Sequence, residues 1–392
     1  MPEAGLRPKQ ASGGSLPEPW QRWREQRYPA QLLHLDSAAA GRCSVVTLQA
    51  AAAHAEREAA VGAYVAEAEA QPVLEAARAE LAGLLGVRPE GVAFTESASA
   101  ALESLLTAWP LQPGDAVAVL PSEWGPNLAA FGHHGLLPTE LAVQPDGTVD
   151  LENLATVLAA SPPAFVHLNH VASHRCLVQP VAEAAALCRA AGVPLWVDAA
   201  QALGHVDTAC GADVLYATSR KWLAGPRGVG LLAVSDRWWD TLQVRTSPLA
   251  LASAPADASP VRLLESHEAN VPGRVGLATA VRQYLDARPQ DVWLRLAEVG
   301  SMTRAALGGL PGWAVLAPGG GSSAVTALRA TGGQDVGETR ARLLAGHGIV
   351  TTAENQARAP GEMTEPLLRI SPHVDCTAEE LGSLRDALVA MR

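Results

Sequence analysis

Short apolar runs alternate with helix-period stretches along most of the chain. VAFT (92–95), AVAVL (116–120), FVHLN (165–169), PLWVD (194–198), DVLYAT (213–218) and VGLLAVS (229–235) each read as a strand that is apolar on both faces. Between them, SASAALESLLTAW (97–109), PNLAAFGHHG (126–135) and VAEAAALCRAAG (181–192) carry a helical pattern. A strand with two apolar faces belongs in a sheet covered by helices on both sides, so the pattern predicts a mostly parallel sheet. The region 44–86, Ala/Glu-rich and then PVLEAARAELAGLLG, predicts helix ahead of that sheet.

Beyond residue 260 the order changes. A helical segment (274–309) precedes a strand (324–330), a helix (337–348), strands at 349–353 and 367–371, and a last helix (377–391). That mixture suits a smaller α+β domain. The expected fold class is therefore α/β: a large domain with a mostly parallel sheet flanked by helices, plus a smaller α+β domain. The expected borders are an N-terminal arm (1–30) joining the small domain, a large domain (31–260) and a small C-terminal domain (261–392). Residues 1–20, rich in Pro, Gly and Ser, read as a loose arm, TSPLALASAPADASP (246–260) as a linker or lid, and GGG (319–321) as a loop.

Composition narrows the function. The 392 residues carry a formal charge of −11, which repels phosphate backbones and argues against a nucleic-acid partner. No run reaches the ~18 apolar residues of a membrane span, and the N-terminus lacks the apolar centre of a secretory signal. The five cysteines are scattered and show no C-x-x-C spacing, so reduced thiols in a cytoplasmic protein are expected, without a metal. Lysine is nearly absent: Lys9 and Lys221 stand against 27 arginines. Where positive charge alone suffices, Arg serves; Arg cannot form a Schiff base and Lys can.

Three segments assemble a candidate chemistry. PLWVD delivers Asp198 at the C-terminal end of a buried strand, the edge where open α/β sheets bind ligands. DVLYATSRKWLAGPRGVG ends a strand near Thr218 and places Lys221 in the next turn. VAFTESAS ends a strand, and Ser97, Ala98 and Ser99 open a helix whose free N–H groups can hold a phosphate. Taken singly, each has a plainer reading as a turn residue, a solvated charge or a helix cap. Together they match pyridoxal 5′-phosphate (PLP): a lysine for its aldehyde, an acid for its pyridine nitrogen, and a helix N-terminus for its phosphate.

From about Leu35 onward the sequence resembles the class V aminotransferase family, fold-type I PLP enzymes that include cysteine desulfurases. VDAAQALGH and TSRKWLAGPRGVG carry the resemblance most specifically. It implies that Asp198 pairs with the pyridine nitrogen and that Gln201 bonds the phenolic oxygen. It implies that Thr218 and Arg220 join Ser97, Ala98 and Ser99 at the phosphate. Trp124 replaces the family's ring-stacking His, and Ser173 takes the place of an Asn near the ring. Arg369, in LLRIS, is implied to clamp the substrate α-carboxylate. The segment 265–278 is implied to lie at a homodimer interface, although the family's Gly-Thr is not visible there.

A cysteine desulfurase needs a thiol nucleophile shortly before that arginine, and residues 211–375 hold no cysteine. The resemblance leans instead to the family's carbon–sulfur lyases of ergothioneine biosynthesis. It implies a small-molecule cysteine S-conjugate as substrate, with Lys221 as general base. An aminotransferase, an amino-acid epimerase and a non-catalytic binding protein of the same fold remain open.

Overall fold

Seven strands pair into one sheet in the computed structural model, which describes residues 16–245, 258–266, 268–316 and 322–391. In chain order the strands are β1 (Leu33–His34), β2 (Val92–Thr95), β3 (Ala116–Val119), β4 (Leu137–Glu140), β5 (Phe165–Asn169), β6 (Leu195–Asp198), β7 (Val214–Thr218), β8 (Gly230–Val234), β9 (Trp313–Leu316), β10 (Thr326–Ala330), β11 (Ile349–Val350), β12 (Thr352–Glu354) and β13 (Leu367–Ile370). The large sheet runs β2-β8-β7-β6-β5-β3-β4. Its β4–β3–β5–β6–β7 pairings are parallel, and β8 is antiparallel to both β2 and β7. Alternate residues of each strand feed two cores: Val166, Leu168, Val197 and Leu215 on one face, Phe165, Trp196, Val214 and Tyr216 on the other.

Six of these strands follow from the apolar runs. The seventh, β4, reads LPTE, is exposed at every position and lies at the sheet edge, where a proline is tolerated and no apolar pattern is required.

The second sheet, β12-β13-β10-β9, is antiparallel. Leu328 and Leu368 from it share a core with Val299, Leu343 and Leu384 from the helices Pro289–Leu307, Val336–His347 and Ala378–Ala390. β1 pairs with β11, and Asp36 bridges to Ser371, so the chain returns early to this sheet. The helix Val271–Asp286 packs against Val45–Val61 and Ala63–Leu85. Its Leu277 and Val281 sit in the same core as Leu215, so that core draws on residues beyond 261.

Two expected helices are each divided. The 44–86 stretch breaks at Gly62, whose φ of +92° suits only glycine. The 274–309 stretch breaks ahead of Pro289, which cannot continue the preceding helix. The loose arm ends earlier than residue 20. Glu18–Glu25 is helical, with Trp20 and Trp23 buried, Trp23 stacked on His373 at 5.2 Å, and Arg24 paired with Glu380 at 2.7 Å. Most of the 246–260 segment, the GGG loop at 319–321 and His267 lie outside the described residues.

Candidate active site

Strand register gathers the candidate residues at one edge. Gly230 of β8 stands opposite Thr95 of β2 on one side and opposite Thr218 of β7 on the other. The turn that opens with Ser97 and the turn that holds Arg220 and Lys221 therefore leave the sheet at the same end. β5 and β6 end there too, with Asn169 opposite Asp198 and Asp198 opposite Tyr216. A Cβ on Gly230 would lie 2.5 Å from the Ser97 carbonyl carbon, and one on Gly41 would collide with the Lys221 carbonyl oxygen. Only glycine lets these backbones approach so closely.

Asp198 is buried and receives three N–H groups: Ala200 N at 2.8 Å on Oδ1, and Asn127 Nδ2 at 3.1 Å and Asn169 Nδ2 at 3.4 Å on Oδ2. Lys221 is half-buried, and its Nζ makes no hydrogen bond or ion pair with any described residue. Burial brings its ammonium down from 10.5 to about 7; the Asp198 charge opposes this, and Arg220, Arg369 and Arg358 add to it. The amine and the carboxylate are thus near enough at this edge for their charges to interact.

The helix Ala98–Ala108 begins at this edge. Ser97 is its N-cap and accepts from Ala100 N at 3.1 Å, so this hydroxyl does serve as a cap, while the N–H groups of Ala98 and Ser99 precede the first intrahelical bond. Thr218 is buried, with Oγ1 3.5 Å from Val229 O. The Arg220 guanidinium has no partner among the described residues, and burial with the charges of Arg227 and Arg369 lowers its pKa.

Gln201 is largely engaged: Oε1 accepts from Trp222 Nε1 and Nε2 donates to Ala38 O, both at 2.9 Å, which leaves one N–H. Trp124 is half-buried and caps the helix Gly125–His133. Ser173 meets Arg369 through its carbonyl, 2.9 Å from Nη1. Arg369 is buried and bound: Nη1 lies 2.6 Å from Glu354, Nη2 lies 3.1 Å from Asp36, and only Nε lacks a partner. In the 265–278 segment, Glu265 pairs inward with Arg78 and Arg274.

Several polar residues behind the edge escaped the sequence reading. Tyr216 stands 2.8 Å from His167 Nε2, His167 Nδ1 is 2.7 Å from Glu123 Oε2, and Glu123 Oε1 accepts from Asn127 Nδ2 at 2.9 Å. Burial and the charges of Asp198 and Glu123 push the Tyr216 phenol far up, so it stays protonated in this chain. All four side chains are buried. The signal was a His inside the apolar FVHLN run and a Glu and an Asn four residues apart in SEWGPN.

An amine brought near neutrality beside a strand-end carboxylate can condense with the aldehyde of a pyridine cofactor, and the buried, unpartnered Asn169 Oδ1 leaves an acceptor at the same edge. With free helix N–H groups and an unpaired guanidinium for a phosphate, these residues fit PLP. The fold and this edge define a fold-type I PLP-dependent enzyme.

The chain belongs to the class V aminotransferase family, whose model matches residues 33–383. It is 46% identical over 382 residues to a probable hercynylcysteine sulfoxide lyase of Mycobacterium tuberculosis, covering 97% of this chain and 94% of that protein. It is 29% identical to the isopenicillin N epimerase of Amycolatopsis lactamdurans, over 81% and 84% of the two chains. In fold it is similar to a cysteine desulfurase of Thermococcus onnurineus, with a TM-score of 0.82, 19% identity and coverage of 97% and 99%.

Proposed function

We propose that this chain is a PLP-dependent carbon–sulfur lyase that performs β-elimination on a cysteine S-conjugate, with hercynylcysteine sulfoxide as its substrate. The similarity to a probable lyase of that name over 97% of the chain carries the reading. The cysteines support it against a persulfide route: Cys376 is buried, burial pushes its thiol well up, and it follows Arg369.

PLP, when bound, supplies an electron sink for the pair left by a broken Cα–H bond. Lys221 Nζ takes that proton, being close to neutral at physiological pH. Asp198 holds the proton on the pyridine nitrogen, and Asn127, Asn169 and Ala200 hold Asp198 in place. Ala98, Ser99, Ser97, Thr218 and Arg220 bind the phosphate. Trp124 would stack on the ring, Gln201 would give its remaining N–H to the phenolic oxygen, Ser173 would border the ring, and Arg369 would receive the α-carboxylate. The Cβ–S bond then breaks with its electron pair going to sulfur. A sulfoxide leaves as a sulfenic acid, which two equivalents of an external thiol reduce to the thione, ergothioneine, with release of a disulfide and water. The three-carbon remainder takes up water and gives pyruvate and ammonia. Trp124 cannot shuttle a proton as a His would, which leaves proton transfer to Lys221.

The same reading has the chain as a cytoplasmic homodimer that takes a small-molecule substrate. It divides the chain into an arm (1–30), a large domain (31–260) and a small domain (261–392). The test is to offer cysteine S-conjugate sulfoxides to the holoenzyme and measure pyruvate. Pyruvate and a sulfur-bearing imidazole are expected. Racemisation or transamination without pyruvate would favour the epimerase or aminotransferase reading, the former being the activity named for one relative. A protein that binds no PLP would favour the non-catalytic one.

A further inference from the structure

We propose that Arg358 forms a second carboxylate-binding point in the substrate cleft, so that the favoured substrates carry a carboxylate on the sulfur substituent as well as the one at Cα. This rests on the lyase reading for the identity of the substrate. It does not rest on it for the site.

The segment from Asn355 to Met363 is stitched onto the edge that holds Asp198 and Lys221. Gly125, next to Trp124, lies so close to the Ala357 carbonyl that no side chain fits between them. A Cβ on Gly361 would lie 2.9 Å from the Pro121 carbonyl oxygen. Glu362 takes His174 at 2.6 Å and Arg175 Nη2 at 3.0 Å. Burial alone would raise the Glu362 carboxyl, but those hydrogen bonds outweigh it and bring it to about 2. Glu362 is therefore a firm anchor for the segment, and Ala357, next to Arg358, is held against Gly125, next to Trp124.

Arg358 differs from Arg369 in what it has left to give. Arg369 is committed to Glu354, Asp36 and the Ser173 carbonyl, with Nε alone unpartnered. Arg358 meets Glu354 with Nε as its nearest nitrogen, and the structure records no hydrogen bond to its Nη1 or Nη2 among the described residues. Its side chain is 27% exposed, so the guanidinium is mostly withdrawn from water while part of it stays accessible. Its charge reaches Lys221 and Arg369. Arg369 already reaches both buried carboxylates, Glu354 at 2.6 Å and Asp36 at 3.1 Å, and Arg358 adds a second guanidinium to this cluster. A planar guanidinium with two free nitrogens binds a carboxylate in a bidentate way. Hercynylcysteine sulfoxide has two carboxylates, one on the cysteine and one on the histidine-derived part, and so belongs to this class.

The test uses the holoenzyme and two thioether probes of equal length, S-(2-carboxyethyl)-L-cysteine and S-propyl-L-cysteine, with binding measured by calorimetry. The wild-type protein should favour the dicarboxylate probe by about tenfold or more, the range of one charge-assisted hydrogen bond. Arg358→Gln should remove that preference and change S-propyl-L-cysteine affinity by less than about twofold; Arg358→Lys should keep part of it. Equal affinity of the wild type for both probes, or an equal loss for both in Arg358→Gln, overturns the proposal. The wild-type comparison stands even if the variant does not fold. Pyruvate from the sulfoxides of both probes is scored separately. A carboxylate preference without pyruvate would sink the lyase reading alone, and pyruvate without the preference would sink the second site alone.

Discussion

Asn127 Nδ2 lies 3.1 Å from Asp198 Oδ2 and 2.9 Å from Glu123 Oε1, so one side-chain amide gives both of its N–H groups to carboxylates. No shorter-chain or acidic residue can do this. Asn127→Asp would set a third carboxylate between two others, and the cluster would take up a proton. We expect kcat/KM to fall by about 100-fold and the absorbance of the bound cofactor to titrate at an altered pH. Asn127→Ala, which only removes the donors, should cost about tenfold and leave that titration nearer the wild type. If the two variants behave alike, Asn127 serves packing only.

With the Lys221 amine near 7, cofactor uptake by the apoprotein should have its midpoint there. The neutral amine is the reactive form, so the rate of PLP incorporation should climb through pH 7 and level off above it. An unperturbed lysine would keep climbing toward pH ~10.4. The Asp198 charge raises the amine, so Asp198→Asn should move the midpoint lower. Stopped-flow absorbance across pH 5.5–9.5 reads both, to about half a unit. Lys221→Ala should lose turnover by about three orders of magnitude or more.

Buried histidines set the acid limit of stability. Burial lowers His205 to about 3, and His170 and His373 to about 4, against ~6.5 in an unfolded chain. Between these values the unfolded chain binds more protons, so stability is fully present above pH ~6.5 and is lost as pH falls toward 4. His205 shows why: Nε2 must accept from Ala324 N at 2.9 Å while the ring stacks on Trp222 at 4.0 Å. Urea unfolding at pH 7, 6 and 5 should show the decline. A flat profile would contradict it.

Arg369 joins two buried carboxylates, Asp36 and Glu354. Removing Arg369 strands Asp36 and leaves Glu354 to Arg358 alone, so Arg369→Gln should destabilise the protein by about 3 kcal/mol in addition to weakening substrate binding. Thermal unfolding of the apoprotein separates the two effects, since it involves no substrate.

Much of this architecture could be read along the chain. The apolar runs marked six of seven strands because those strands are covered on both faces, while exposed LPTE has no reason to be apolar. Asp198 and Lys221 stood out because each sits in a local strand-to-turn signal. Asn127, Glu123 and His167 did not, because their meaning comes from partners 44, 49 and 71 positions away. Nothing in LLRIS says that Asp36, 333 residues earlier, will share its arginine. Gln201 was legible as a residue and not as a contact: its ties to Ala38 and Trp222 appear only when the chain folds back.

Gly230 faces Thr95 and Thr218 at once, so the turn proposed to hold the phosphate and the amine-bearing turn are fastened to the two flanks of a single residue. Their separation is then a fixed gauge, set by two strand spacings. A vitamin analogue with a longer or shorter arm between its aldehyde and its phosphoryl group would have to release one turn to reach the other.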